Sequence, residues 1–154
     1  MGVANKILSA VITVLFAALV LATFGQVVFR YLIGYSLYWS EEAARYLFVW
    51  ITFLGSAVAL QKGVHIGFDI LIEKHPQKMQ KWVVLCGDLS VLAFMIFITY
   101  QGTVMVRMNM IQQSPALELS MGAVMAAIPL GFALMALFMI VAMIRRFRNN
   151  PVSG

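Results

Sequence analysis

Three ionisable residues at the head of one apolar run are the sharpest chemical feature of this sequence. They are Glu41, Glu42 and Arg45, in the segment Y-W-S-E-E-A-A-R-Y-L-F-V-W at residues 38–50. On a helix Arg45 lies four residues after Glu41 and three after Glu42, so either carboxylate can meet it in the favoured acid-before-base order. Two adjacent carboxylates and a cation suit three kinds of chemistry: acid–base catalysis, binding of a proton or a solute, or a structural ion pair that anchors a helix and meets a partner. Ser40 is a good N-cap, and both glutamates then fall in the first turn, where the helix dipole favours negative charge. No charge follows from Tyr46 to Leu60. The cluster therefore marks the mouth of a membrane helix.

The three readings do not weigh equally. Membrane-embedded CAAX-type proteases use E-E-x-x-x-R with histidines in later membrane helices. Here the spacing is one residue shorter and those helices carry no histidine, so no enzyme is expected. Small four-helix homodimeric multidrug exporters place a glutamate deep in their first helix, whereas the first apolar run here has no acid. The structural reading is favoured, and the exporter stays as the alternative.

Other groups are fewer. Asp88 is the only acid well inside an apolar run, where insertion costs about 2.5–3.5 kcal/mol at mid-bilayer. It needs a partner or a watery site; Lys62 or Lys81 reaching inward is the simplest partner, and a group on another subunit is the alternative. His65 and Asp69 stand four apart and can bond each other on a helix. A metal would need more ligands, and only Glu73 and His75 are near, so no metal or cofactor is expected in this chain. One cysteine, Cys86, leaves no intrachain disulfide and no dithiol chemistry.

The elements that must position these groups are membrane helices. Of 154 residues, 62% are hydrophobic and only 11% charged. Soluble domains carry about 45–50% apolar and about 25% charged residues. The expected fold is an all-α integral membrane protein, one domain of four transmembrane helices at about residues 7–29, 41–62, 76–105 and 121–144, with a tail at 145–154. A short interfacial helix is expected between the second and third, over residues 63–75, where apolar and polar residues mix. The first run, at about 1.5 Å per residue, reaches roughly 34 Å, long enough to span and longer than a signal-peptide core. It has a small face at Ala18, Ala22 and Gly25. The second carries one stripe of Glu41, Arg45, Phe48, Thr52, Gly55 and Ala59, suited to packing inside protein. Its other stripe, Trp39, Ala43, Tyr46 and Trp50, suits the lipid boundary or a partner groove. The last has a small stripe at Gly122, Ala126, Pro129, Ala133 and Ala136, and Pro129 should bend it.

The net charge of +5 signals orientation, not nucleic acid, because the basic residues alternate with apolar runs. Lys6, Lys62, Lys74, Lys78, Lys81, Arg145, Arg146 and Arg148 fall on one side of a four-helix layout. Arg30, Arg45 and Arg107 fall on the other. That asymmetry puts both termini in the cytoplasm and the glutamates outside it.

W-S-E-E-x-x-R-Y-L-F-V-W, then F-L-G, then H-I-x-x-D-x-L from His65 to Leu71, resembles the small membrane subunit of tripartite ATP-independent periplasmic (TRAP) transporters, the DctQ-like family. S-P-A-L at Ser114–Leu117 and I-P-L-G-F at Ile128–Phe132 extend the resemblance over nearly the whole chain, in order and spacing. It implies a small permease in the bacterial inner membrane. The implied partners are a large M-type membrane subunit that moves the solute, a periplasmic solute-binding protein of P type, and lipid. It also implies sodium-driven import of an acidic organic solute, such as a C4-dicarboxylate or a sialic acid, with the sodium ions bound in the large subunit. Glu41, Glu42, Arg45, Trp50, His65, Asp69 and Asp88 are then structural or partner contacts.

Overall fold

The computed structural model describes residues 3–35, 37–63 and 77–149. The interfacial helix expected over 63–75, with His65 and Asp69, lies almost wholly outside the described residues. The chain forms α1 (Val3–Val28), a π-helical turn (Phe29–Ile33), α2 (Tyr38–Gly63), α3 (Gln77–Met108), a one-turn α4 (Met121–Met125) and α5 (Ala127–Asn149). Among the described residues, four stretches are long and apolar enough to cross a membrane: Asn5–Ile33, Tyr38–Gln61, Trp82–Met108 and Met121–Arg145.

The four expected helices are present, and most run past their expected ends. Arg30, Arg107 and Arg145 end the uncharged runs but not the helices, because a charge meets water without breaking backbone hydrogen bonds. The first helix stops only where Gly34 adopts the left-handed conformation (φ 73°) and donates its N–H to the Phe29 carbonyl. Ser40 is not the N-cap. Because α2 starts at Tyr38, Ser40 sits within the first turn, fully buried, and its hydroxyl donates to the Leu37 carbonyl at 2.7 Å.

In space the order is α1, α2, α5, α3. The first helix packs on α2 alone, α2 and α3 flank α5, and α2 and α3 do not approach one another among the described residues. The protein is thus a layer one helix thick. On α1 the small face is as expected: Ala18, Ala22 and Gly25 are half-buried while Phe16, Leu21 and Phe24 face out.

On α2 the outcome is mixed: within this chain the first stripe faces mostly outward, with Gly55 half-buried, and the second is mostly half-buried, with Trp39 exposed. Glu41, Arg45, Phe48, Thr52 and Ala59 are exposed, whereas Leu54, Ala57 and Val58 are buried and Tyr46 and Trp50 half-buried. Polar boundary residues and threonine lose little by facing outward, while the bulkier side has the apolar area to bury. On the last segment Gly122, Pro129 and Ala136 are buried, but Ala133 is exposed. The closest approach comes instead at Gly131, where an added Cβ would lie 2.7 Å from Phe53 Cβ. Helical order is interrupted at Ala126, between α4 and α5, where Pro129 can give no N–H to the carbonyl of Met125. The Pro129 ring rests on Gly102, with 3.1 Å from its Cδ to an added Cβ. The core gathers on α5: Met135, Ala136 and Met139 with Ala57 and Met95. Phe132 bridges its neighbours, 6.0 Å from Phe53 and 6.3 Å from Phe94 between ring centroids.

Candidate functional site

The two glutamates that adjoin in sequence do different work. A helix turns about 100° per residue, so Glu41 and Glu42 point to different neighbours. Glu41 meets Arg45 at 3.7 Å, with both side chains about 70% exposed. Glu42 turns inward and is 7% exposed. Arg45 therefore pairs with Glu41, not with Glu42.

Glu42 holds the connection between α3 and α4. Its Oε2 accepts the backbone N–H of Ala116 at 2.8 Å and of Leu117 at 3.0 Å. Its Oε1 accepts the Tyr46 hydroxyl. All three partners donate, which suits an acceptor-only carboxylate. Tyr46 is one turn below Glu42 on the same face, and its Oη lies 3.4 Å from the Met121 sulfur. The anchor thus reaches from α2 to the start of α4.

The captured connection is itself tightly folded. Ser114, 2% exposed, accepts the Leu119 N–H on its Oγ at 3.1 Å and donates its own N–H to the Leu119 carbonyl at 2.9 Å. Its carbonyl accepts the Glu118 N–H at 3.1 Å, and Glu118 takes a positive φ of 53°. Below this turn, Met121 donates to Gln112, Gly122 to Asn109, and the Ser120 hydroxyl to the Met110 carbonyl. Pro115 presets the turn, which leaves the next two N–H groups aimed at one oxygen. Removing Glu42 would orphan them.

The other expected site residues are not gathered here. Trp50 is half-buried one turn below Tyr46. Asp88 is buried on α3, twenty residues before its Met108 end, so it lies about 30 Å along the helix axis from the anchor. The sequence reading missed Ser114, the Ala116 and Leu117 amides, Tyr46 and Met121. The available signal was that the E-E and S-P-A-L motifs fall at the same end of the layer.

Four apolar helices side by side, tied at one end by a buried carboxylate, define a multi-pass membrane protein built from a single helical layer. The model of the family described as "Tripartite ATP-independent periplasmic transporters, DctQ component" matches residues 19–149, and the chain belongs to that family. The family is a transporter component and not an enzyme, and its members place the chain in the inner membrane. The chain is 34% identical over 104 residues to the C4-dicarboxylate TRAP transporter small permease protein DctQ of Rhodobacter capsulatus, covering 66% of this chain and 46% of that protein. It is 32% identical over 88 residues to the sialic acid TRAP transporter small permease protein SiaQ of Vibrio cholerae, covering 57% and 51%. It is 31% identical over 102 residues to the isethionate TRAP transporter permease protein DctMQ of Oleidesulfovibrio alaskensis, covering 64% of this chain but only 16% of that one. The chain thus spans about half the length of the two small permeases and a sixth of the longer protein.

Proposed function

We propose that this chain is the small permease subunit of a sodium-driven TRAP transporter, a fixed scaffold beside a larger subunit that moves an acidic organic solute inward. The observation that carries this reading is the single layer. Among the described residues, helices in the order α1, α2, α5, α3 enclose no interior passage of their own, whereas solute sites of secondary transporters lie between packed repeats with broken helices at mid-membrane. A layer suits bracing.

Family membership supports the rest. The solutes named for the three relatives, C4-dicarboxylates, sialic acid and isethionate, are all anions at neutral pH, which favours an acidic organic solute. The long DctMQ protein supports a large M-type partner, because there the region similar to this chain is continuous with a much longer remainder. Sodium would bind in that partner, not in this chain. The distribution of basic residues supports cytoplasmic termini, with the Glu42 anchor at the periplasmic end, where a solute-binding protein would deliver its cargo.

The test is reconstitution. Tagged chain purified from its host should bring down a large TRAP permease, and the pair should take up a carboxylate or sulfonate solute with its binding protein and a sodium gradient. If the chain alone forms a homodimer in liposomes that exports cationic dyes, the multidrug-exporter reading replaces this one.

A further inference from the structure

We propose that the exposed face of α2 is the seat of one transmembrane helix of the large permease partner. The surface is formed by Glu41, Arg45, Phe48, Thr52, Gly55, Ser56 and Ala59. This inference rests on the scaffold reading above and says where on the chain that reading operates.

The face spans the membrane. Glu41 to Ala59 is nineteen residues, about 27 Å of helix, close to the roughly 30 Å hydrocarbon thickness. The exposed side of α5 from Leu130 to Ile144, by contrast, is wholly apolar, with Leu130, Leu137, Ile140, Val141 and Ile144. The α2 face opens on an ion pair and continues through Thr52 and Ser56, whose hydroxyls donate to the Phe48 and Thr52 carbonyls at 2.8 Å. Those donors are spent, but the hydroxyl lone pairs face outward. Phe48 alone supplies bulk, so below it the surface is a shallow groove.

Gly55 adds an independent observation. Three other helical glycines each have an internal reason to lack a side chain: Gly102 carries Pro129, Gly122 lies against Val106 and Met110, and Gly131 lies against Phe53. A Cβ at Gly55 would meet nothing within 4 Å. Glycine is less favourable than alanine in a helix, and nothing among the described residues needs it there. Gly25 is open too, but it lies on the half-buried small face of α1 with Ala18 and Ala22. Gly55 is bracketed by Thr52, Ser56 and Ala59, the small-residue setting in which a second helix approaches closely.

The occupant follows from the DctMQ relative. Its similar region is covalently joined to a remainder about five times as long. That chemistry favours a helix of the large subunit over a second copy of this chain. The helix should present bulky apolar side chains to the groove. At its boundary it should carry a hydrogen-bonding or acidic group for Arg45, whose pairing with Glu41 at 3.7 Å is long for a charge-assisted bond.

The experiment co-expresses tagged chain with its large permease and compares wild type, Gly55→Ala, Gly55→Leu and, on the exposed apolar side of α5, Ala133→Leu. Gly55→Leu should leave the thermal midpoint of the isolated chain unchanged or raised and lower the recovered large permease at least tenfold. Gly55→Ala should fall between, and serves if the leucine variant fails to fold. Ala133→Leu should change neither reading. Undiminished recovery with Gly55→Leu, or equal loss with Ala133→Leu, overturns the inference while leaving the scaffold reading intact. A wild-type homodimer split by Gly55→Leu makes a second copy the occupant and also overturns it. If wild type recovers no large permease at all, the scaffold reading itself falls.

Discussion

The crossing of α2 over α5 at Gly131 should decide whether Glu42 stays beneath its turn. A Cβ placed on Gly131 would stand 2.7 Å from Phe53 Cβ, 3.0 Å from the Phe53 carbonyl oxygen and 3.2 Å from its carbonyl carbon. Carbon atoms rest about 3.5–4.0 Å apart, so Gly131→Ala must part the two helices by roughly 1 Å. Overpacking of this kind costs about 1–3 kcal/mol. Alanine also returns about 1 kcal/mol of helix propensity, which would mask part of that loss. Gly25→Ala is the correction, since it meets nothing within 4 Å and receives the propensity gain alone. The difference between the two variants is then the crossing. For a chain of this length about 1 kcal/mol moves the midpoint roughly 2–4 °C, so Gly131→Ala should unfold roughly 2–12 °C below Gly25→Ala in detergent. Phe53→Ala should not rescue it, because the clash is with Cβ and backbone. Amides at 114–119 should exchange faster in Gly131→Ala as the anchor is pulled aside. A midpoint equal to that of Gly25→Ala would refute the reasoning, as would full rescue by Phe53→Ala.

Three further outcomes are expected. Glu42→Ala should speed hydrogen exchange at Ala116 and Leu117 by on the order of tenfold, the worth of about one hydrogen bond, with Glu42→Gln between it and wild type. Arg45→Ala should leave the midpoint of the isolated chain unchanged, since both members of its pair are about 70% exposed. The same variant should weaken recovery of the large subunit without altering solute preference, and a changed preference would put Arg45 in a solute path. Met139→Ala, at a 4% exposed core position, should cost about 2–5 kcal/mol, and Met139→Leu less than about 1.5 kcal/mol, by thermal unfolding in detergent.

The helices were legible because each apolar run is long enough to span and is bounded by charge. Which side of α2 faces inward was not legible. Spacing puts Glu41, Arg45, Thr52 and Ala59 on one face, but it does not say whether that face meets this chain or another. Near the Glu42 anchor the sequence reading found both halves and not the bond between them. Glu42 and Arg45 are three apart, which suggests a local ion pair. Apart from nearby Tyr46, the donors that Glu42 accepts lie 74 and 75 residues away, in Ala116 and Leu117. Both are backbone amides, which no residue type announces. Ser40 misled for a related reason: a residue that often caps helices can also donate backwards once the helix starts two residues earlier.

The anchor and the single layer explain each other. A closed bundle holds its helices from several sides, but among the described residues α1 packs only on α2, and α3 meets α2 only through α4 and α5. Such a layer would hinge along its length unless its ends were fixed. Glu42 supplies one fixed end, tying the head of α2 to the turn that leads into α4 and α5. Because α2 and α5 start from that same end, a tie there and a tight crossing at Gly131 hold the pair at two points along one axis. Two points fix an angle where one would leave a pivot. Rigidity of this kind is what a brace beside a moving partner requires, and it leaves the exposed face of α2 at a constant inclination for that partner to bind.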